Sequence, residues 1–85
     1  MHCSAEFMIE PWEPGNLYRV DAAVMALAGY GVEVDVGAFA NVAEGDSETV
    51  LPALVHMLND MLESGATTIT IQVRRAGALP RTSIL

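Results

Sequence analysis

The hydrophobic period of this chain changes in a fixed order: about two residues, about 3.6, about two in two successive segments, about 3.6, and about two again. A period of two belongs to a strand with one covered face, and 3.6 to a helix with one covered stripe. Residues 3–9 alternate, with Cys3, Ala5, Phe7 and Ile9 on one side and Ser4, Glu6 and Met8 on the other. Pro11-Trp12-Glu13-Pro14-Gly15-Asn16 then reads as a loop, because its prolines withhold ladder donors. Asn16 is placed to cap a helix over 17–28, on which Leu17, Val20, Val24, Leu27 and Ala28 share a stripe. Gly29 and Gly31 are expected to supply the left-handed turn that stops it. Val32, Val34 and Val36 alternate with Glu33 and Asp35 as a second strand with an inside and an outside, and 39–44 reads as a third. Gly45-Asp46-Ser47 breaks that strand and caps a helix over 48–63. Val50, Leu51, Leu54, Val55, Leu58, Met61 and Leu62 give this helix the strongest stripe in the chain, and Ser64-Gly65 ends it. Ile69, Ile71 and Val73 alternate with Thr68, Thr70, Gln72 and Arg74 as a fourth strand.

The order is β-α-β-β-α-β. Right-handed crossovers turn that order into a four-stranded antiparallel sheet, order 4-1-3-2, with both helices on one face. This is an α+β, ferredoxin-like architecture. Residues 1–75 are expected to form one such domain, and the aperiodic stretch 76–85 a C-terminal tail.

Composition narrows the partners. Apolar residues make up 52% of only 85, which is more hydrocarbon than so small an interior can hide. Part of it is expected to be covered by further copies, in a homodimer or homotetramer. The longest nearly apolar stretch, 22–32, is far too short to span a bilayer. The first residues lack the charged and apolar regions of a secretory leader, so a cytoplasmic location is expected and no membrane partner. The chain has no Lys and four Arg against eleven acids, a net charge of −7. That sign repels nucleic acid and favours cationic ligands. Without lysine there is no Schiff-base chemistry and no P-loop. With one cysteine there is neither an intrachain disulfide nor a Cys-x-x-Cys motif.

No catalytic set is visible, and the expectation is a protein that is not an enzyme. His2 sits at the start of the chain. His56 shares a helix face with Asn59, Asp60 and Glu63, opposite the apolar stripe, where it reads as a solvated side chain rather than a metal ligand. Cys3 falls on the covered side of the first strand and reads as a small hydrophobe. Met25, Met57 and Met61 read as gap-filling core residues. The loop after the first strand lacks the cysteines of heavy-metal transport domains and the basic phosphate cradle of acylphosphatases.

Topology places a site where composition cannot. In a 4-1-3-2 sheet the end of the first strand meets the starts of the third and fourth. Met8, Glu10, Trp12, Phe39, Asn41, Thr68 and Thr70 are therefore expected to gather at one sheet edge and its open face. Aromatic walls, an amide, hydroxyls and a carboxylate suit a flat, polar, cationic heterocycle. Each residue also has a plain structural role open to it. Trp12 and Phe39 could plug the core or an interface, Asn41 could satisfy nearby backbone, and Glu10 could be solvated.

Phe7-Met8-Ile9-Glu10-Pro11 resembles the first-strand signature of YkoF-like thiamine-binding proteins. Phe39-Ala40-Asn41-Val42-Ala43-Glu44-Gly45-Asp46 resembles their third-strand signature, approximately Ser-Thr-x-Val-Arg-Gly-Glu. Ala40 and Asn41 stand where that pattern has Ser and Thr, and Glu44 aligns with its Arg. The resemblance covers about residues 4–75. It implies the ferredoxin-like fold, assembly through the sheets, and binding of thiamine or its hydroxymethylpyrimidine half with no cofactor required. On this reading Glu10 attracts the cation, Trp12 or Phe39 stacks, and Asn41 with Thr70 reads the pyrimidine edge. The alternative is a structural or regulatory oligomerisation module, similar to an ACT domain, without a thiamine site.

Overall fold

The computed structural model describes residues 1–11, 18–37 and 40–76. They form β1 (His2–Glu10), α1 (Tyr18–Ala28), β2 (Val34–Val36), β3 (Asn41–Asp46), α2 (Ser47–Glu63) and β4 (Thr68–Arg75). The sheet order is β2-β3-β1-β4 and every ladder is antiparallel. This is the expected ferredoxin-like sheet, read from its other edge. Of the expected tail, only Ala76 lies within the described residues, and its N–H donates to the His2 carbonyl.

Alternation in β1 builds the core. Cys3, Ala5, Phe7 and Ile9 are buried and share the covered face with Ala43 of β3, while α2 sets Val50, Ala53, Leu54, Met57 and Met61 against them. α1 adds Ala23 and Leu27. Alanines at positions 5, 43, 23 and 53 let sheet and helices approach closely. No helix among the described residues is long and apolar enough to cross a membrane.

Asp46 ends β3 and starts α2. Its extended backbone and side-chain acceptor for the Glu48 N–H (3.3 Å) make it the N-cap. The Met1 ammonium, 2.9 Å from Oδ1, holds the Asp46 carboxyl below its ordinary pKa.

Several expected boundaries and faces differ. β3 begins at Asn41 and runs through Gly45 and Asp46, so Gly45 does not break it. β2 is only Val34–Val36; Val32 is buried ahead of it, and Val36, which its pairing with Asn41 puts on the covered face, is nonetheless 60% exposed at the sheet edge. The turn after α1 places Gly31 in the left-handed region (φ 78°), and Gly29 is not there. Ala28 and Met25 are exposed, Met25 by 74%, so Met25 fills no core gap. Ala23 and Ala26, small residues outside the expected stripe, join Leu27 of that stripe on the covered side of α1.

The largest difference is in α2. Leu51, Val55 and Leu62 are about half exposed, although the sequence stripe includes them. The covered face is centred on Val50, Met57 and Met61, about 120° around the helix from those three at about 100° per residue. An apolar arc that wide exceeds what one sheet and one neighbouring helix can cover. The helix rolls to bury Ala53 and Met57, one small and one pliant, which permit the closest fit.

Candidate functional site

The face of the sheet away from the helices is the open one. Residues paired directly across a ladder share a face. Ser4, Glu6, Met8 and Glu10 of β1 stand opposite Arg74, Gln72, Thr70 and Thr68 of β4, and on the other side Ser4 and Glu6 stand opposite Glu44 and Val42 of β3. The open face is thus largely a polar grid, with Val42 half-buried beside Glu6 and Met8 42% exposed.

A depression of about 490 Å³ lies in this grid, lined by Glu6, Phe7, Met8, Ala40, Thr70, Ile71 and Gln72. Parity aims the side chains of Glu6, Met8, Thr70 and Gln72 toward it; Phe7 and Ile71 belong to the covered face and contribute strand backbone. Its size is that of a small-molecule site. Glu6 is half-buried, and among the described residues it has no hydrogen-bond or ion-pair partner. A half-covered carboxylate without a direct ion-pair partner favours a cationic or hydrogen-donating occupant. Gln72 is held in place by Arg74, whose Nη2 donates to Oε1 at 2.9 Å.

Four of the residues expected at the site come together on this face: Met8 and Thr70 line the depression, and Glu10 and Thr68 continue it as the next rung of the ladder. Both threonines and Glu10 are exposed. Thr67 anchors that end by donating its backbone N–H (2.8 Å) and its hydroxyl (3.4 Å) to the Glu10 carbonyl.

Asn41 does not join them. It pairs with Phe7, so its side chain is on the covered face, where it is 7% exposed and donates from Nδ2 to the Phe7 carbonyl at 3.4 Å. A two-residue shift in where β3 begins keeps the same parity, so the error lay in assigning that parity to the open face. Trp12 and Phe39 lie outside the described residues.

Glu6 and Gln72 are the polar lining residues that the expected set omitted. Both were visible as polar members of the alternations in the first and fourth strands. Extending the Thr68–Thr70 row by one more alternate residue reaches Gln72, and the rung opposite it is Glu6.

The histidines are elsewhere. His56 Nε2 lies 3.2 Å from Asp60 Oδ2 on α2 and its ring is 5.3 Å from that of Tyr30, in the helix layer. His2 contacts Glu44 at the far end of β1 from Glu10. Among the described residues no three His, Cys, Asp or Glu side chains are grouped to hold a metal ion.

No family model matches the chain, and no curated protein matches it significantly. Solved structures do share its fold. A hypothetical protein of Methanocaldococcus jannascii superposes with a TM-score of 0.65 at 19% identity, covering 98% of this chain and 91% of the other. A domain of unknown function, DUF77, of Bacillus cereus gives 0.62 at 19%, covering 98% and 86%. A Thermotoga maritima protein provisionally named for thiamine biosynthesis or salvage gives 0.64 at 16%, covering 100% and 96%. At such identities what is shared is the fold, not the chemistry.

Proposed function

We propose that this chain binds thiamine or a related pyrimidine on the open face of its sheet, without catalysis, as a small carrier or sensor in the cytoplasm. The observation that carries the reading is the depression at Glu6, Met8, Thr70 and Gln72, where a carboxylate without an ion-pair partner among the described residues, a hydroxyl and an amide surround a thioether. Flat heterocycles pack well on a polarisable thioether, and a cationic one gains from the carboxylate and from the net charge of −7. The strand motifs that resemble YkoF-like proteins, and the fold shared with a protein named for thiamine biosynthesis or salvage, support this ligand class. A non-catalytic role fits a depression whose only titratable lining group among the described residues is Glu6, with His2 and His56 placed elsewhere.

Calorimetric titration with thiamine and with hydroxymethylpyrimidine tests the reading. Binding should release or absorb heat and raise the melting temperature; ligand at a hundred times Kd contributes about 2.7 kcal/mol of stability. Neither heat nor stabilisation at millimolar ligand would reject it.

A second reading, an oligomerisation module in the manner of ACT domains, draws on a different surface. Leu51, Val55 and Leu62 form an exposed apolar row on α2, with Leu58 half-buried between them at coiled-coil spacing. The two readings differ in whether the open face holds a ligand, and we infer a homodimer or homotetramer in either case.

A further inference from the structure

The depression sets a hydrogen-bond acceptor and a donor side by side on neighbouring strands. Glu6 and Gln72 are direct partners across the β1–β4 ladder, which puts their Cβ atoms about 5 Å apart on the same face. Glu6 offers carboxylate oxygens and no competing partner among the described residues. The amide of Gln72 could present either its oxygen or its NH2, and Arg74 decides between them. A guanidinium has only donors, so the Gln72 atom 2.9 Å from Nη2 is the oxygen. The Nε2 hydrogens are then the ones left for an occupant.

Resting on the reading that a heterocycle occupies this depression, we propose that Glu6 and Gln72 together read a donor–acceptor edge of it. A ring nitrogen accepts from Gln72 Nε2–H, while the adjacent exocyclic amine donates to the Glu6 carboxylate. Arg74 is the positioning residue that fixes Gln72 as donor. The ligand class is thereby narrowed to azines carrying an amino group beside a ring nitrogen, or another edge with one donor and one acceptor in that spacing. An edge with two acceptors leaves the carboxylate facing a lone pair. An edge lacking the donor leaves it unpaired.

The test uses the whole chain and pairs of neutral probes, so that charge is held constant. Hydroxymethylpyrimidine is compared with its isostere in which a methyl group replaces the amine. Wild type should bind the amine at least tenfold more tightly. Glu6→Gln keeps an acceptor and should bind the amine within severalfold of wild type, whereas Glu6→Leu should lose the preference for amine over methyl. Arg74→Met should lower affinity for the amine severalfold with the melting temperature unchanged, and Arg74→Lys, which also only donates, should restore it. Equal affinity of wild type for amine and methyl probes would overturn the edge-reading role while leaving pyrimidine binding intact. If Arg74→Met binds as wild type does, the positioning role falls alone. Failure of wild type to bind any of these probes or thiamine would overturn both the inference and the function on which it rests.

Discussion

Replacing Asn41 separates a structural amide from a ligand-reading one. The side chain is 7% exposed on the helix side of the sheet, beside Phe7, which is 1% exposed, and donates to the Phe7 carbonyl. Asn41→Ala removes one hydrogen bond, worth about 0.5–1.5 kcal/mol, and adds a small loss of packing. Asn41→Asp is the sharper probe. An ionised carboxylate cannot donate to the Phe7 carbonyl and would face its lone pairs from a dry site, so the introduced acid has a folded-state pKa raised above its unfolded value. The sign follows. Below the unfolded pKa both states are protonated and the variant is least destabilised. As the pH rises between the unfolded and folded values, stability falls by about 1.4 kcal/mol per unit. Urea denaturation of wild type, Asn41→Ala and Asn41→Asp from pH 4 to pH 8 should show the Asp variant losing stability progressively relative to Ala. In a domain this small each kcal/mol is about 4–8 °C of melting temperature. Ligand affinity of the Ala variant, measured where it is folded, should stay within about threefold of wild type, or about 0.7 kcal/mol. A flat difference between Asp and Ala across that pH range, or a variant of native stability that binds tenfold more weakly, would refute this placement.

Other outcomes follow from local geometry. A Cβ on Gly37 would sit 2.6 Å from the Ala40 carbonyl oxygen, so Gly37→Ala should cost about 1–3 kcal/mol in chemical denaturation by forcing the β2–β3 connection apart. Asp46, with its pKa lowered chiefly by the hydrogen bond from the Met1 ammonium, stabilises the fold above its unfolded pKa, and that contribution is lost as the pH falls through the lowered folded value. Melting curves of Asp46→Asn between pH 2 and pH 5 should therefore show a shallower acid loss than wild type; an identical acid limb would contradict the contact. Val55→Glu and Leu62→Glu, at positions 57% and 51% exposed, should change monomer stability by less than about 0.5 kcal/mol. If α2 pairs with another copy, the same substitutions should shift sedimentation toward smaller species, and unchanged sedimentation would remove this row from the interface.

Much of the architecture was legible in the chain, because strands and helices impose different periods on residues that must meet water or hydrocarbon. The alternations at Cys3–Ile9 and Thr68–Arg74 assigned the open-face partners Met8, Glu10, Thr68 and Thr70 correctly, since β1 is buried on one face only. Asp46 was visible as a cap because its acceptor must precede the first free N–H groups of α2. The order of elements and the right-handed crossover rule then yielded the sheet order.

What the tertiary structure alone decided was orientation within those elements. Asn41 begins a strand whose alternation of Asn41, Ala43 and Gly45 against Val42 and Glu44 has small or polar residues inside and a valine outside, so parity could not be read from polarity. Only pairing with Phe7 places it. The α2 arc was wider than its contact, and the choice of Met57 over Val55 followed from which side could approach the alanines of the sheet and α1. Glu6 and Gln72 are neighbours because two strands 66 positions apart are in one register, and a periodicity, being a property of each segment by itself, carries no information about the partner across the ladder.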